Sequence, residues 1–233
     1  QGGLRIRRSD SATTEEQGTR RRPLHALVVG NAAYTDRRVG ALENPVRDAS
    51  AVAQALRDLG YDEVLYQSNL GLSALTSVVA AFRASLPRDA LAVFYFAGHG
   101  VEIDRRNYIV PVDFAMPSSP EMARRAAYDV QDIIATLASG RAGYQVLILD
   151  ACRNNPLGEG GASSGLSGGF SEAALRNLGG EVARSTVTWT SASPGREAPD
   201  GPAGSNSPFT AALVEMLRSR AQAPVQIFYP ILA

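Results

Sequence analysis

The chain has one cysteine and two histidines, and two of these three residues follow apolar runs. His99 stands between glycines in YFAGHG (95–100), after LAVFYF, and Cys152 closes LILDAC (147–152). A thiol beside an imidazole is the pair needed for covalent catalysis: the thiolate attacks and the ring handles the proton. Each residue alone has a plainer reading, as a small buried hydrophobe or a structural histidine. Taken together, at the ends of two apolar strands, they point to one active site. Asp150 lies two residues before Cys152, so in an extended segment both side chains share a face. A carboxylate there disfavours a thiolate and makes better sense if a cation arrives. The side chain of a substrate arginine or lysine would satisfy it, arginine with two parallel bonds. The alternative is an aspartate that bonds loop amides at a strand end. His25 opens the first strand, at the opposite edge, and reads as structural.

The elements that must position these residues alternate in type. LHALVVGN is a strand. A helix follows in NPVRDASAVAQALRDLG, with Asn44 as N-cap, Pro45 in the first turn, and Val52, Leu56 and Leu59 on one face; Gly60 can end it. EVLYQS is a second strand. LSALTSVVAAFRASL is a second helix, with Leu72, Leu75, Val79, Phe82 and Leu86 on one stripe. ALAVFYFAG is a third strand, apolar on both faces and so central. VEIDRRNYIVPVD reads as a small hairpin, DVQDIIATLASG as a helix, YQVLILDAC as a fourth central strand and STVTWTSAS as a fifth. SPFTAALVEMLRSRAQ is a helix with Ser207 as N-cap and Pro208 at N1. The pattern predicts an α/β fold with a mostly parallel sheet. In such a sheet ligands bind beyond the carboxyl ends of the strands, which brings His99 and Cys152 to one edge although they are 53 residues apart in sequence. Gly98 and Gly100 let the backbone turn beside the imidazole. The amides of Gly100 and Cys152 are candidate oxyanion donors.

Composition narrows the remaining classes. The chain has 233 residues, 45% of them hydrophobic, enough for one sizeable core. Its net charge of zero gives no footprint for nucleic acid or an anionic membrane. All 23 basic residues are arginine, which reads as codon bias. One cysteine excludes an internal disulfide framework, and with two histidines it excludes a four-ligand Cys/His zinc site within the chain. No apolar run approaches the ~18 residues of a membrane-spanning helix. Residues 1–23, polar and aperiodic, are expected to be a flexible arm, and 24–233 the folded domain. Within it, residues 157–180, rich in glycine and serine, are expected to form a flexible loop. The apolar end QIFYPILA looks like the start of a helix that the chain does not complete.

YFAGHG and LILDACRNN together resemble the His and Cys motifs of the caspase-like cysteine peptidases, in which a histidine about 50 residues upstream of the cysteine is a known spacing. The resemblance runs from Leu24 to Gln222, including NPVRDA, NYIVPVD, TSASPG and SPFTAAL, and is closest to the bacterial metacaspase-like or orthocaspase members. It implies a caspase-like three-layer α/β sandwich, with a mostly parallel central sheet flanked by helices, and peptide hydrolysis through an acyl-enzyme. Cys152 would be the nucleophile and His99 the general acid/base. Asp48 and Asp150 would line an acidic S1 pocket, with Ser191 also at the substrate, giving cleavage after arginine or lysine. Arg176 and Arg184 become candidate self-cleavage sites. Ala97 departs from the pattern, since metacaspases often carry a serine two before the histidine. Some members bind calcium. Asp113 and Asp129 lie in roughly matching regions, but YDVQD offers only Asp129 and Asp132, and calcium wants six to eight oxygens, so no cofactor is expected to be required. The implied partners are proteins or peptides with a basic P1 residue, bound by a soluble monomer of bacterial cytoplasm or periplasm; the compartment is not readable from the chain. Two other readings stand beside the peptidase. One is a catalytically silent caspase-fold scaffold, against which the intact Cys152 and His99 argue. The other is an amidase-type hydrolase using the same dyad, against which the paired Asp48 and Asp150 argue.

Overall fold

A computed structural model describes residues 21–151, 166–168, 186–191 and 201–219. Five strands form the central sheet: β1 (Leu24–Gly30), β2 (Glu63–Ser68), β3 (Leu91–Ala97), β7 (Tyr144–Asp150) and β9 (Thr186–Thr190). Their order is β2-β1-β3-β7-β9, and every pair is parallel. Parallel strands need crossovers, and helices are part of those described between β1 and β7. A second, antiparallel sheet has the order β6-β5-β4-β8, from β4 (Gly100–Ile103), β5 (Arg106–Ile109), β6 (Tyr128–Asp129) and β8 (Leu166–Gly168). The architecture is the α/β sandwich expected from the alternation of elements.

The period of two along β3 and β7 sorts their side chains into two cores. Val93, Tyr95, Val146 and Ile148 pack against α1 (Pro45–Asp58) and α5 (Pro208–Ser219), which contribute Val52, Leu56, Leu213 and Leu217. Phe94, Phe96, Leu147 and Leu149 pack against α2 (Leu72–Ser85) and α4 (Val130–Ala138), which contribute Leu75, Val79, Phe82, Ile133 and Leu137. Each such side chain, when fully buried, contributes about 1.5–3 kcal/mol. The apolar stripes read from sequence are therefore the faces that bury, and β3 and β7 lie in the middle because they are apolar on both faces.

Local signals account for most helix ends. Gly60, at φ +78°, follows the end of α1. Gly30 seats the start of the same helix: a Cβ there would lie 2.4 Å from the Pro45 carbonyl oxygen. Asn44 occupies the N-cap position of α1 but makes no side-chain cap; its amide instead donates to the Pro202 carbonyl at 3.2 Å. Helix α2 starts at Gly71, which has no side chain to cap with, and Asp113 accepts from the Leu72 N–H at 2.9 Å in its place. Ser207 caps α5, accepting from the Thr210 N–H at 3.0 Å. The expected hairpin is β4–β5, with Asp104 and Arg105 both at positive φ, as a two-residue turn between twisted strands requires.

Three short elements lie outside those expected from sequence. Helix α3 (Pro120–Ala126) has a local start signal, Ser119 accepting the Met122 N–H ahead of Pro120, but it buries only Ala123 and so carries no apolar stripe. Strand β6 has two residues and β8 three, too few for a period. Strand β8 falls inside the expected 157–180 loop and pairs with β4; the rest of that stretch lies outside the described residues. Arg21 and Arg22, inside the expected arm, are tied to the fold: Arg21 pairs with Asp62 and Arg22 stacks on Tyr144. Residues 1–20 and the expected C-terminal helix start lie outside the described residues. Among the described residues no helix is long and apolar enough to cross a membrane.

Asp113→Ala removes the only side-chain cap identified at the start of α2. The expected loss is about 1 kcal/mol, read as a lower urea midpoint with an unchanged slope.

Candidate active site

The parallel pairing of β3 with β7 sets Leu91 opposite Tyr144 and, at the far end, Ala97 opposite Asp150. His99 and Cys152 each lie two residues past that last pair, so both chains leave the sheet at one edge and in step. Cys152 itself lies outside the described residues, as do Arg176 and Arg184. His25, at the opposite edge, pairs through Nδ1 with Glu63 at 2.9 Å, the structural role expected of it.

The imidazole of His99 is buried, and two groups that sequence reasoning missed hold it. Its Nε2 lies 3.0 Å from the carbonyl oxygen of Gly40. A carbonyl only accepts, so Nε2 carries a proton, and in the neutral tautomer that this bond selects the lone pair is on Nδ1. The ring of Tyr34 packs against the imidazole at 4.6 Å between centroids. The Tyr34 hydroxyl enters the backbone ladder: it accepts the His99 N–H at 2.7 Å and donates to the Val110 carbonyl at 3.4 Å. The Val110 N–H donates to the His99 carbonyl at 2.9 Å. One rung between residues 99 and 110 is therefore bridged by a phenol, which prises the strands apart where the imidazole must emerge.

This explains Gly98. A Cβ there would lie 2.7 Å from the Tyr34 hydroxyl and 2.8 Å from the Phe96 ring, so the glycine is required by close approach. The alternation of amides along a strand turns the Gly100 N–H away from β5, on which the His99 carbonyl is engaged.

Tyr34 and Gly40 belong to the loop between β1 and α1, and Asp36 holds that loop together. Its carboxylate accepts from the Arg38 amide at 2.9 Å, the Arg38 guanidinium at 2.6 Å and the Met116 N–H at 2.8 Å. The hydrogen bond from the Arg38 side chain, then that from the Met116 amide, hold its carboxyl well below the usual carboxylate range.

The two expected pocket aspartates are both fully buried and meet at one residue. Asp48 comes from the first turn of α1 and Asp150 from the end of β7. The Asp48 Oδ1 accepts the Ser207 N–H at 2.9 Å. The Asp150 Oδ2 accepts the Ser207 hydroxyl at 2.5 Å and the Thr210 hydroxyl at 2.8 Å. The Tyr95 hydroxyl lies 2.6 Å from Thr210 Oγ1. Burying two carboxylates is tolerable because they accept charge-assisted bonds at the positive end of a helix. Ser207 was legible as a cap but not as a link between aspartates.

Ser191 extends the β7–β9 pairing, its N–H donating to the Leu149 carbonyl at 3.1 Å, and so stands beside Asp150. Its hydroxyl is buried and has no hydrogen-bond partner among the described residues. Ala97, in register with Asp150, adds only apolar surface. The two calcium candidates are engaged otherwise. Asp113 caps α2. Asp129 caps α4 through the Gln131 N–H at 2.7 Å and pairs with Arg106 at 2.6 Å. Among the described residues no group of three or more His, Cys, Asp or Glu is placed to hold a metal ion.

Residues 24–229 match the model of the caspase domain family, and the chain belongs to that family of cysteine peptidases. It is 30% identical over 128 residues to human mucosa-associated lymphoid tissue lymphoma translocation protein 1, and 29% identical over 128 residues to the mouse homologue. The match covers 55% of this chain but only 15% and 14% of those relatives, so it concerns a small part of each. Among solved structures, protein GSU0716 from Geobacter sulfurreducens superposes with a TM-score of 0.58 over 84% of this chain and 82% of that one, at 14% identity. That likeness supports the caspase-like fold alone.

Two outcomes test this geometry. Tyr34→Phe keeps the ring but orphans the buried His99 N–H, and is expected to cost about 1–3 kcal/mol in urea unfolding. Asp36 has a depressed carboxyl pKa in the folded state, so its contribution is present above the ordinary aspartate range and is lost as the pH falls through the folded value. Wild type should therefore lose stability against Asp36→Asn as the pH drops below about 4, with the two melting curves converging in acid.

Proposed function

We propose that the protein is a cysteine endopeptidase that cleaves after arginine, or lysine, through an acyl-enzyme, as in the bacterial metacaspase-like members of the family. The observation that carries this reading is the meeting of two buried carboxylates, Asp48 and Asp150, at Ser207 on the same sheet edge as His99. Such a pocket favours a cation, and a planar guanidinium matches carboxylate oxygens better than an ammonium does.

In this mechanism Nδ1 of His99 takes the proton from the Cys152 thiol, and the sulfur attacks the carbonyl carbon of the scissile bond. The Gly40 carbonyl, already bound to Nε2–H, steadies the imidazolium that forms. The N–H groups of Gly100 and Cys152 take the developing oxyanion. The tetrahedral species collapses as Nδ1 returns the proton to the leaving amine, which departs and leaves a thioester on Cys152. Water then attacks the thioester, gives its proton to Nδ1, and the acid leaves as the thiol is restored. Ser191 lies alongside the bound peptide. Arg176 and Arg184 are candidate sites of self-cleavage. The reading calls for no metal, because Asp113 and Asp129 spend their oxygens on helix amides and Arg106.

Fluorogenic peptides ending in arginine, lysine or aspartate, offered with and without calcium, test the proposal. Release after arginine, weaker release after lysine, none after aspartate, no response to calcium and no turnover by Cys152→Ala are expected. Release only after aspartate would sink the roles of Asp48 and Asp150. Silence of the wild-type protein towards every peptide would favour a binding module.

A further inference from the structure

We infer that the first turn of α5 is a specificity-determining part of the pocket, and that Ser207 and Thr210 are its positioning residues. The inference rests on the reading of Asp48 and Asp150 as the site of a substrate cation. Those two carboxylates come from elements that share no local geometry, one from the start of α1 and one from the end of β7. Both are joined to a single residue, Ser207, through its amide and its hydroxyl respectively.

The hydrogens in this cluster have one consistent arrangement. Ser207 Oγ accepts the Thr210 N–H, so its own proton is available for Asp150. Thr210 Oγ1 also donates to Asp150, so it accepts from the Tyr95 hydroxyl. Protons thus run from Tyr95 to Thr210 to Asp150, and from Thr210 N–H to Ser207 to Asp150. The same bonds fix the rotation of the Asp150 carboxylate about its stem, because Oδ2 is held from two directions. The Ser207 amide holds Asp48 by Oδ1 in the same way. A guanidinium reads orientation as well as charge, since it binds through a planar fork, whereas an ammonium is a point charge. Loosening either carboxylate should therefore harm arginine recognition more than lysine recognition.

The roles divide accordingly. Among the described residues the side chains of Ser207 and Thr210 bond to Asp150, and the Ser207 amide to Asp48, so they act on substrate through the aspartates. Removing the Ser207 hydroxyl should raise KM for arginine peptides about tenfold, the equivalent of about 1.4 kcal/mol, with kcat altered less than threefold. The arginine-to-lysine preference should fall, while alkylation of Cys152 by iodoacetamide keeps its rate. Ser207→Thr should restore the arginine KM, because it keeps both the hydroxyl and the cap.

The test compares wild type, Ser207→Ala, Ser207→Thr and Thr210→Val in peptide kinetics, with calorimetric binding of agmatine as a readout that needs no turnover. Thr210→Val leaves the cap of α5 intact and removes one donor to Asp150 together with the acceptor of the Tyr95 hydroxyl, and paired with Tyr95→Phe it carries the test if Ser207→Ala does not fold. Weaker agmatine binding and a higher arginine KM in Ser207→Ala or Thr210→Val, restored in Ser207→Thr, support the inference. Equal agmatine affinity in wild type and these variants overturns it, as does a parallel fall in kcat for arginine and lysine. Agmatine binding by a wild-type protein that cleaves no peptide would overturn the peptidase reading and leave the pocket assignment standing.

Discussion

The register of β3 against β7 is the constraint on which the rest of the site depends. With Ala97 opposite Asp150, the chains that continue to His99 and Cys152 leave the sheet level with each other. A slip of one residue would turn each side chain on one strand to the opposite face. Phe94 and Phe96 would then face α1 and α5, and Val93 and Tyr95 would face α2 and α4, which the two cores cannot accommodate at equal volume. The packing of two hydrophobic layers thus sets where the chain leaves the sheet for His99, and brings Asp150 level with Ala97.

The edge of the sheet carries an energetic load that the cores offset. Two carboxylates are fully buried there, and an unpaired buried charge is strongly destabilising. Serine and threonine hydroxyls meet that demand because one hydroxyl can accept and donate at once. Ser207 takes an amide proton from α5 and passes its own to Asp150. The Tyr34 hydroxyl does the same between His99 and Val110. In both places a side-chain hydroxyl stands where the backbone would otherwise close on itself. The result in each case is a polar group held in one orientation within an otherwise regular fold.

What could be read from the sequence divides by range. The strands around His99 and Cys152 announce themselves through continuous apolar runs, and the stripes of α1 and α2 through their period, because both signals are local. Gly98 reads as a turn-maker, and its φ of +156° agrees, but the close approach of the Tyr34 hydroxyl, more than sixty residues earlier in the chain, is a second cause with no local signal. Tyr34 and Gly40 sit in a loop whose composition says only that it is a loop. SPFT displays a cap, and nothing local reveals that its hydroxyls face Asp150, 57 residues earlier. Asn44 misled for the same reason: the residue type suits a cap, but a long-range bond to the Pro202 carbonyl claimed its side chain. Sequence pattern reports which residues face the core. It does not report which distant polar groups will share a hydrogen bond once the core has formed.

The segment from Asn31 to Asp48 reaches both the His99 imidazole and the Ser207 amide. Its two ends meet, because Gly30 packs on the Pro45 carbonyl with no room for a side chain. A loop closed in that way is compact. Tyr34 and Gly40 reach from it to the imidazole, Asp36 braces its middle against Met116, and Asp48 leaves its far end for the pocket. His99 and Asp48 are therefore both held by one stretch of chain, although they lie on different elements. Effects of substitutions within that stretch should be non-additive, as is usual for residues that share partners. Changes at Ser207 and Thr210 should instead act on the aspartates, because their described hydrogen bonds run there.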